Sequence, residues 1–186
     1  MRIIRGKNRG KFLVAPKNLP VRPTTDMAKE GLFNVVENYL DWADVRALDL
    51  FAGTGNITYE MASRGCPDVT SVDSFRDCLK FIDKTADQLG YTGIKTVLSD
   101  VPRYLQRNPQ RWDFIFADPP YDYADYPALV GLALDKLPAD GLFVLEHSVD
   151  HSFSDHPACF DSRRYGSVHF SYFSLEALKD GSDSER

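Results

Sequence analysis

Val45-Arg46-Ala47-Leu48-Asp49-Leu50-Phe51, Ala52-Gly53-Thr54-Gly55-Asn56 and the run from Ile57 to Arg64 follow one another without interruption. The first has the length and apolar character of a buried strand, the second is a turn with two glycines, and the third is helical. Strand, glycine loop and helix in that order open a βαβ unit, and the alternation continues. Val69 to Asp73 is expected as a strand, Phe75 to Leu89 as a helix, Ile94 to Ser99 as a strand and about Pro102 to Gln106 as a short helix. A strand ends at Asp118, a helix covers Tyr126 to Leu137, and Gly141 to Glu146 forms the next strand. Strands spaced by helices imply an α/β fold with a mostly parallel sheet. The rhythm changes at Cys159 to Arg164 and Val168 to Phe173, which Tyr165-Gly166-Ser167 joins as a hairpin, predicting an antiparallel final strand.

A glycine loop between strand and helix has a physical use. Gly53 and Gly55 let a ligand approach the backbone, and the helix start behind them offers unpaired N–H groups. Asp73 closes the second strand 20 residues after Gly53, where a carboxylate meets ribose hydroxyls in such folds, with Ser74 next to it. Asp100 closes the third strand and, with Ser99 and Val101, is placed to border an adenine; a helix-capping role is the alternative. Thr58 stands where a dinucleotide fingerprint has its third glycine, and Asp49 suits an ammonium group better than a phosphate. Both favour S-adenosylmethionine over a dinucleotide, held by Asp49, Phe51, Ala52, Gly53, Thr54, Gly55, Asp73, Ser74, Asp100 and Val101.

Trp112-Asp113-Phe114-Ile115-Phe116-Ala117 is a strand stopped by Asp118-Pro119-Pro120-Tyr121. Its carboxyl end is the sheet edge where ligands bind. Prolines donate no backbone hydrogen bonds, so the tetrapeptide presents acceptors: the Asp118 carboxylate and the Pro119 carbonyl can take the two N–H bonds of a nucleobase amino group. Pro120 stiffens the turn and Tyr121 can stack on the base, a contact worth about 1–3 kcal/mol.

The chain of 186 residues is long enough for one core, and no apolar run reaches membrane-spanning length. The N-terminal stretch lacks the apolar centre of a signal peptide, so a cytoplasmic protein is expected. Cys66, Cys78 and Cys159 are scattered, and His147, His151, His156 and His169 show no ligand spacing; reduced thiols and no metal are expected. The net charge of −5 conceals an asymmetry: Arg2, Arg5, Lys7, Arg9, Lys11, Lys17 and Arg22 precede any acidic residue, leaving −12 for the remainder. A basic arm on an acidic body suits phosphate contacts, and Arg2, Arg5, Lys7, Arg9, Lys11, Arg22 and Thr24 are the candidate RNA-binding residues. Arg2 to Val14 reads as a hairpin turning at Gly6-Lys7-Asn8-Arg9-Gly10, and Thr25 or Asp26 caps a helix from Ala28 to Tyr39.

Asp49 to Gly55 resembles the cofactor motif of class I S-adenosylmethionine-dependent methyltransferases, and Asp118 to Tyr121 resembles their (Asp/Asn)-Pro-Pro-Tyr motif for amino-group methylation. Met1 to Gly10, Arg22-Pro23-Thr24-Thr25-Asp26, Leu32-Phe33-Asn34 and the pair Glu146-His147 resemble the RsmD type. The resemblance implies a Rossmann-like seven-stranded methyltransferase sheet, mostly parallel with an antiparallel last strand, preceded by a small N-terminal β-hairpin and helix. It also implies methylation of the N2 amino group of a guanine in small-subunit (16S) ribosomal RNA, with Asp118 to Tyr121 as the catalytic residues. Residues 1–40 are expected as a basic RNA-binding extension, 41–176 as the methyltransferase domain and 177–186 as a disordered tail, the whole acting as a monomer on ribosomal RNA or the small subunit. Adenine-N6 or protein glutamine methylation, and a non-catalytic RNA-binding relative, are the alternatives; a nicotinamide oxidoreductase is disfavoured by the absent third glycine.

Overall fold

The computed structural model describes residues 1–19 and 24–178. Arg22 and residues 179–186 of the expected tail therefore lie outside the described residues, while residues 175–178 are helical. Helix α1 (Asp26–Val36) begins at Thr25, whose side chain accepts from the Ala28 N–H, and it buries Ala28, Leu32, Phe33, Val35 and Val36. A 3-10 turn at Trp42–Asp44 leads into strand β1 (Arg46–Leu50). Then follow α2 (Asn56–Ser63), β2 (Asp68–Asp73), α3 (Arg76–Leu89), β3 (Ile94–Leu98), α4 (Val101–Arg107), β4 (Phe114–Ala117), α5 (Tyr126–Leu134), β5 (Leu142–His147), β6 (Cys159–Tyr165) and β7 (Val168–Ser174).

The strands form one seven-stranded sheet in the order β3-β2-β1-β4-β5-β7-β6. The first five are parallel; β7 runs antiparallel to β5 and β6 antiparallel to β7. Period-two alternation divides the apolar residues between two faces. Ala47, Phe114, Phe116, Val144 and Phe170 pack with α1, α2 and Trp42 on one side. Leu48, Ile115, Ala117, Phe143 and Leu145 pack with α4 and α5 on the other.

The N-terminal hairpin is shorter than expected. A single bridge joins Arg2 to Phe12, with Ile3 N–H donating to the Lys11 carbonyl at 2.9 Å. The ladder stops there because the next donors are claimed elsewhere: the N–H groups of Ile4 and Arg5 both donate to the Glu60 carboxylate, at 2.9 and 3.0 Å. Farther along, Lys7 N–H donates to the Ser63 carbonyl and Asn8 N–H to Ser63 Oγ. Gly6 must be glycine, since a Cβ there would stand 1.7 Å from the Ser63 oxygen. The arm is thus bolted along α2, with Arg2 near the helix start and Lys7 near its end.

A buried ionic network fixes this packing. Lys29 and Glu60, 1% and 0% exposed, pair at 3.2 Å. Glu60 also accepts from Arg64 at 2.9 Å, and Arg64 reaches Glu37 at 2.6 Å, which in turn holds Arg5 at 2.8 Å. Lys29 Nζ donates to the Arg2 carbonyl and to Asn56 Oδ1. Burial holds the Lys29 ammonium below its usual range, opposed by the Glu60 charge.

Candidate active site

At the carboxyl edge of the sheet lies a cavity of about 590 Å³, a size typical of ligand pockets. It brings the two sequence motifs together. Asp49, Phe51, Ala52, Gly53 and Thr54 line one side and Asp118, Pro119, Pro120 and Tyr121 the other. The reason is register: Leu50 pairs with Ala117 across parallel strands, and Asp118 N–H donates to the Leu50 carbonyl at 3.3 Å. The glycine turn and the proline pair therefore leave adjacent strands side by side.

The loop is held in shape by its surroundings. Ala52 N–H donates to the Val72 carbonyl, and Asp73 accepts from Gly53 N–H at 2.8 Å and from Phe75 N–H at 2.7 Å. Asp73 thereby pins the loop to the end of β2 while remaining in the cavity wall. Gly53 has φ 55, and among the described residues Phe51 is the one non-glycine residue with positive φ, at 58. Such a conformation costs about 1–3 kcal/mol and is typical of functional turns. The Phe51 ring is braced against Tyr123, 5.5 Å between centroids.

Asp49 is 2% exposed. Burial pushes its carboxyl up to about 7, against the lowering effect of the Thr58 hydroxyl that donates to Oδ2 at 2.6 Å. A cation seated against this carboxylate would relieve the cost of burying its charge.

Other expected residues fall elsewhere. Gly55 does not line the cavity; it starts α2 with φ 87, and a Cβ there would come within 2.8 Å of the Tyr59 ring and 2.9 Å of Ile82. Its glycine serves helix packing rather than ligand approach. Asp100 caps α4, accepting from Arg103 N–H at 3.0 Å, and Val101 is buried in the core; neither lines the cavity. The β2–α3 turn fills that side instead, through Ser74, Phe75 and Cys78. Phe75 is 48% exposed at the position next to Ser74, and burial pushes the Cys78 thiol up to about 11, leaving it un-ionised near neutrality.

Of the candidate RNA-binding residues, Thr24 lies in the cavity wall and donates to Glu146 at 3.0 Å. Arg2 pairs with Asp26 and Arg5 with Glu37, and Lys7 lies over the Tyr91 ring. Arg9 and Lys11 are exposed.

Sequence reasoning did not place Met27, Asn56, Tyr126, Ser148 or Tyr165 to Val168 in the cavity, though all line it. A signal existed for the last group. Because β7 runs antiparallel to β5, the turn that precedes it must lie at the edge where the parallel strands end. His147 is buried, donating from Nδ1 to the Ser148 carbonyl at 2.9 Å, so Nε2 accepts from Ser171 at 2.8 Å. Burial lowers its pKa and keeps the ring neutral.

The profile of the family described as Conserved hypothetical protein 95 matches residues 1–174. The chain belongs to this family, the RsmD-type methyltransferases. It is 35% identical over 153 residues to the putative rRNA methyltransferase YlbH of Bacillus subtilis (strain 168), a match covering 79% of this chain and 82% of that one. It is 28% identical over 182 residues to ribosomal RNA small subunit methyltransferase D of Escherichia coli (strain K12), covering 95% and 91%. The solved structure of the putative methyltransferase yhhF from Escherichia coli superposes with a TM-score of 0.79 at 26% identity, covering 93% of this chain and 96% of that one. The RsmD-type cofactor is S-adenosylmethionine, and the buried Asp49, the positive-φ turn at Gly53 and the carboxylate at the end of β2 form a donor set that fits its ammonium, amino-acid chain and ribose.

Proposed function

We propose that this protein methylates the exocyclic N2 amino group of a guanine in 16S ribosomal RNA. The observation that carries the reading is the meeting of Asp118-Pro119 and the glycine turn in one cavity, joined by the Asp118–Leu50 hydrogen bond. Bound S-adenosylmethionine supplies a methyl group activated by its sulfonium. The amino lone pair of guanine is delocalised into the ring and weakly nucleophilic. Asp118 and the Pro119 carbonyl accept its two N–H bonds, turn the nitrogen toward the methyl group and favour the positive charge that grows on it; once methylated, the cationic nitrogen sheds one N–H proton to the Asp118 carboxylate or to water. Tyr121, 58% exposed, stacks on the extruded base. On the cofactor side, Asp49 takes the ammonium, Asp73 the ribose hydroxyls, and Ser74 and Phe75 border the adenine.

Residues 1–40 form the RNA-facing extension of a methyltransferase body spanning 41–176. Arg2, Lys11 and the exposed Phe12 and Met27 lie toward the cavity end of α1 and α2, whereas Lys7 and Arg9 lie toward the far end and reach RNA remote from the target. Among the described residues no helix is long and apolar enough to cross a membrane. The protein works as a cytoplasmic monomer. Tritiated methyl transfer tests the reading, with small subunits from a deletion strain, duplex DNA and a protein extract as acceptors. Label is expected in 16S RNA as N2-methylguanosine; label in DNA or protein instead would overturn it.

Asp49 gives the cofactor half a distinct signature. In the free protein its carboxyl titrates at about 7, above its usual value. An ammonium beside it favours the ionised form, so the complex holds fewer protons than the free protein and binding releases one below that pH. Affinity therefore rises with pH up to about 7 and turns over near about 8, where the ligand's own α-amino group loses its charge. Calorimetry in buffers of different ionisation enthalpy should register the released proton, and Asp49→Asn should bind more weakly with no proton release. A wild-type affinity flat between pH 5.5 and 7.5 would assign the ammonium elsewhere.

A further inference from the structure

We propose that Glu146 reads the N1–H of the target base and so makes the site select guanine over other rings that carry an amino group at the same position. The inference rests on the guanine-N2 reading above. Strands β4 and β5 are parallel, with Ala117 paired to Leu145. The next residues on each, Asp118 and Glu146, therefore stand side by side at the carboxyl edge, about one strand spacing of 4.8 Å apart. Both line the cavity together with Tyr126, whose hydroxyl pKa is pushed up by burial first and then by the charges of Asp118, Tyr121 and Glu146.

The Watson–Crick edge of guanine carries N1–H next to the N2 amino group, so a base whose amino group is held by Asp118 and Pro119 directs N1–H along the same edge toward the neighbouring strand. A carboxylate is a pure acceptor with room for about four hydrogen bonds across its two oxygens. Opposite guanine it accepts N1–H. Opposite a ring whose N1 bears a lone pair, two acceptors face one another, and a site built for a donor rejects such analogues strongly.

Glu146 is also held as a reader must be. Thr24 Oγ1 donates to its Oε2 at 3.0 Å; the Thr24 carbonyl accepts from Asn56 Nδ2 at 3.1 Å; and Asn56 Oδ1 accepts from Lys29 at 2.9 Å. The chain of bonds ties its orientation to the buried ion pair, so little ordering is left for the moment of base capture.

The competing account is that Glu146 only anchors the Thr24 segment. Small-subunit RNA reconstituted with either guanosine or 2-aminopurine riboside at the mapped target separates the two. 2-Aminopurine keeps the reactive amino group and has a lone pair at N1. Wild type is expected to favour guanosine by at least about 100-fold in kcat/KM. Glu146→Gln, whose amide can donate to that lone pair, should lose activity on guanosine and reduce the preference at least tenfold. Equal losses on both substrates with the ratio unchanged would leave Glu146 an anchor and overturn the proposal. If that variant does not fold, the wild-type ratio still decides, because equal use of the two bases means that N1–H is not read. Absence of transfer to guanosine RNA by wild type would instead defeat the guanine reading itself, whatever the ratio.

Discussion

Replacing Asp118 by alanine is expected to lower the single-turnover rate of methyl transfer by about 10²- to 10³-fold, the usual cost of deleting one preorganised charge-stabilising partner, and to leave S-adenosylmethionine binding near wild type. The asymmetry follows from where the residue stands. Asp118 leaves β4, and the residues matched to the cofactor leave β1 and β2; what joins them is the backbone bond from Asp118 N–H to Leu50, which alanine retains. The lost interaction strengthens as the amino nitrogen becomes cationic, so it belongs to the transition state more than to the bound substrate. kcat should therefore fall much more than KM rises. Asp118→Asn keeps an acceptor oxygen without the charge and should fall between the two. Rapid-quench transfer to small subunits, with calorimetry for the cofactor, checks both halves. Turnover by the alanine variant at the wild-type rate would remove Asp118 from the chemistry.

How much of this could be read from the residues differs by kind of information. The elements are legible within a few residues because strand and helix periods alternate cleanly from Val45 onward, and the tetrapeptide lies at the expected carboxyl edge, where the pairing of Leu50 with Ala117 sets it beside the glycine loop. Spacing says less about what a residue faces. Gly55 sits in the expected loop, yet its missing side chain makes room for Tyr59 and Ile82. The third strand stops at Leu98, short of Asp100, whose carboxylate takes the capping role on its own helix by accepting from Arg103 N–H, one of the unpaired donors of the first turn. The basic residues at the start of the chain were legible as charge but not as partners: Glu37 and Asp26 lie more than 20 residues away in sequence and are brought to Arg5 and Arg2 only by the packing of α1.

Glu60→Gln is expected to destabilise the fold by about 3–5 kcal/mol, the cost of leaving buried charges without their counter-charge. For a chain of this size each kcal/mol moves the melting temperature by roughly 2–4 °C, so the transition should fall by on the order of 10 °C, read by circular dichroism. Lys29 and Arg64, 1% and 2% exposed, would keep their cationic groups in the interior with one carboxylate fewer, and of the two backbone donors of the arm, which bond different oxygens of Glu60, one would face a neutral amide oxygen and the other an NH2 group that cannot accept. The exposed pairs give the contrast: Arg2→Ala or Arg5→Ala removes a contact about half in solvent and should cost only about 0–1 kcal/mol. If Glu60→Gln melts within a degree or two of wild type, the network is not what joins arm to body. The same bonds explain why deleting residues 1–15 is a poor probe of RNA contact, since Glu60 and Lys29 would lose partners along with the basic side chains. Charge-removing substitutions at Arg9 and Lys11 leave the network whole, so a smaller salt slope of RNA binding in that variant reports phosphate contacts alone.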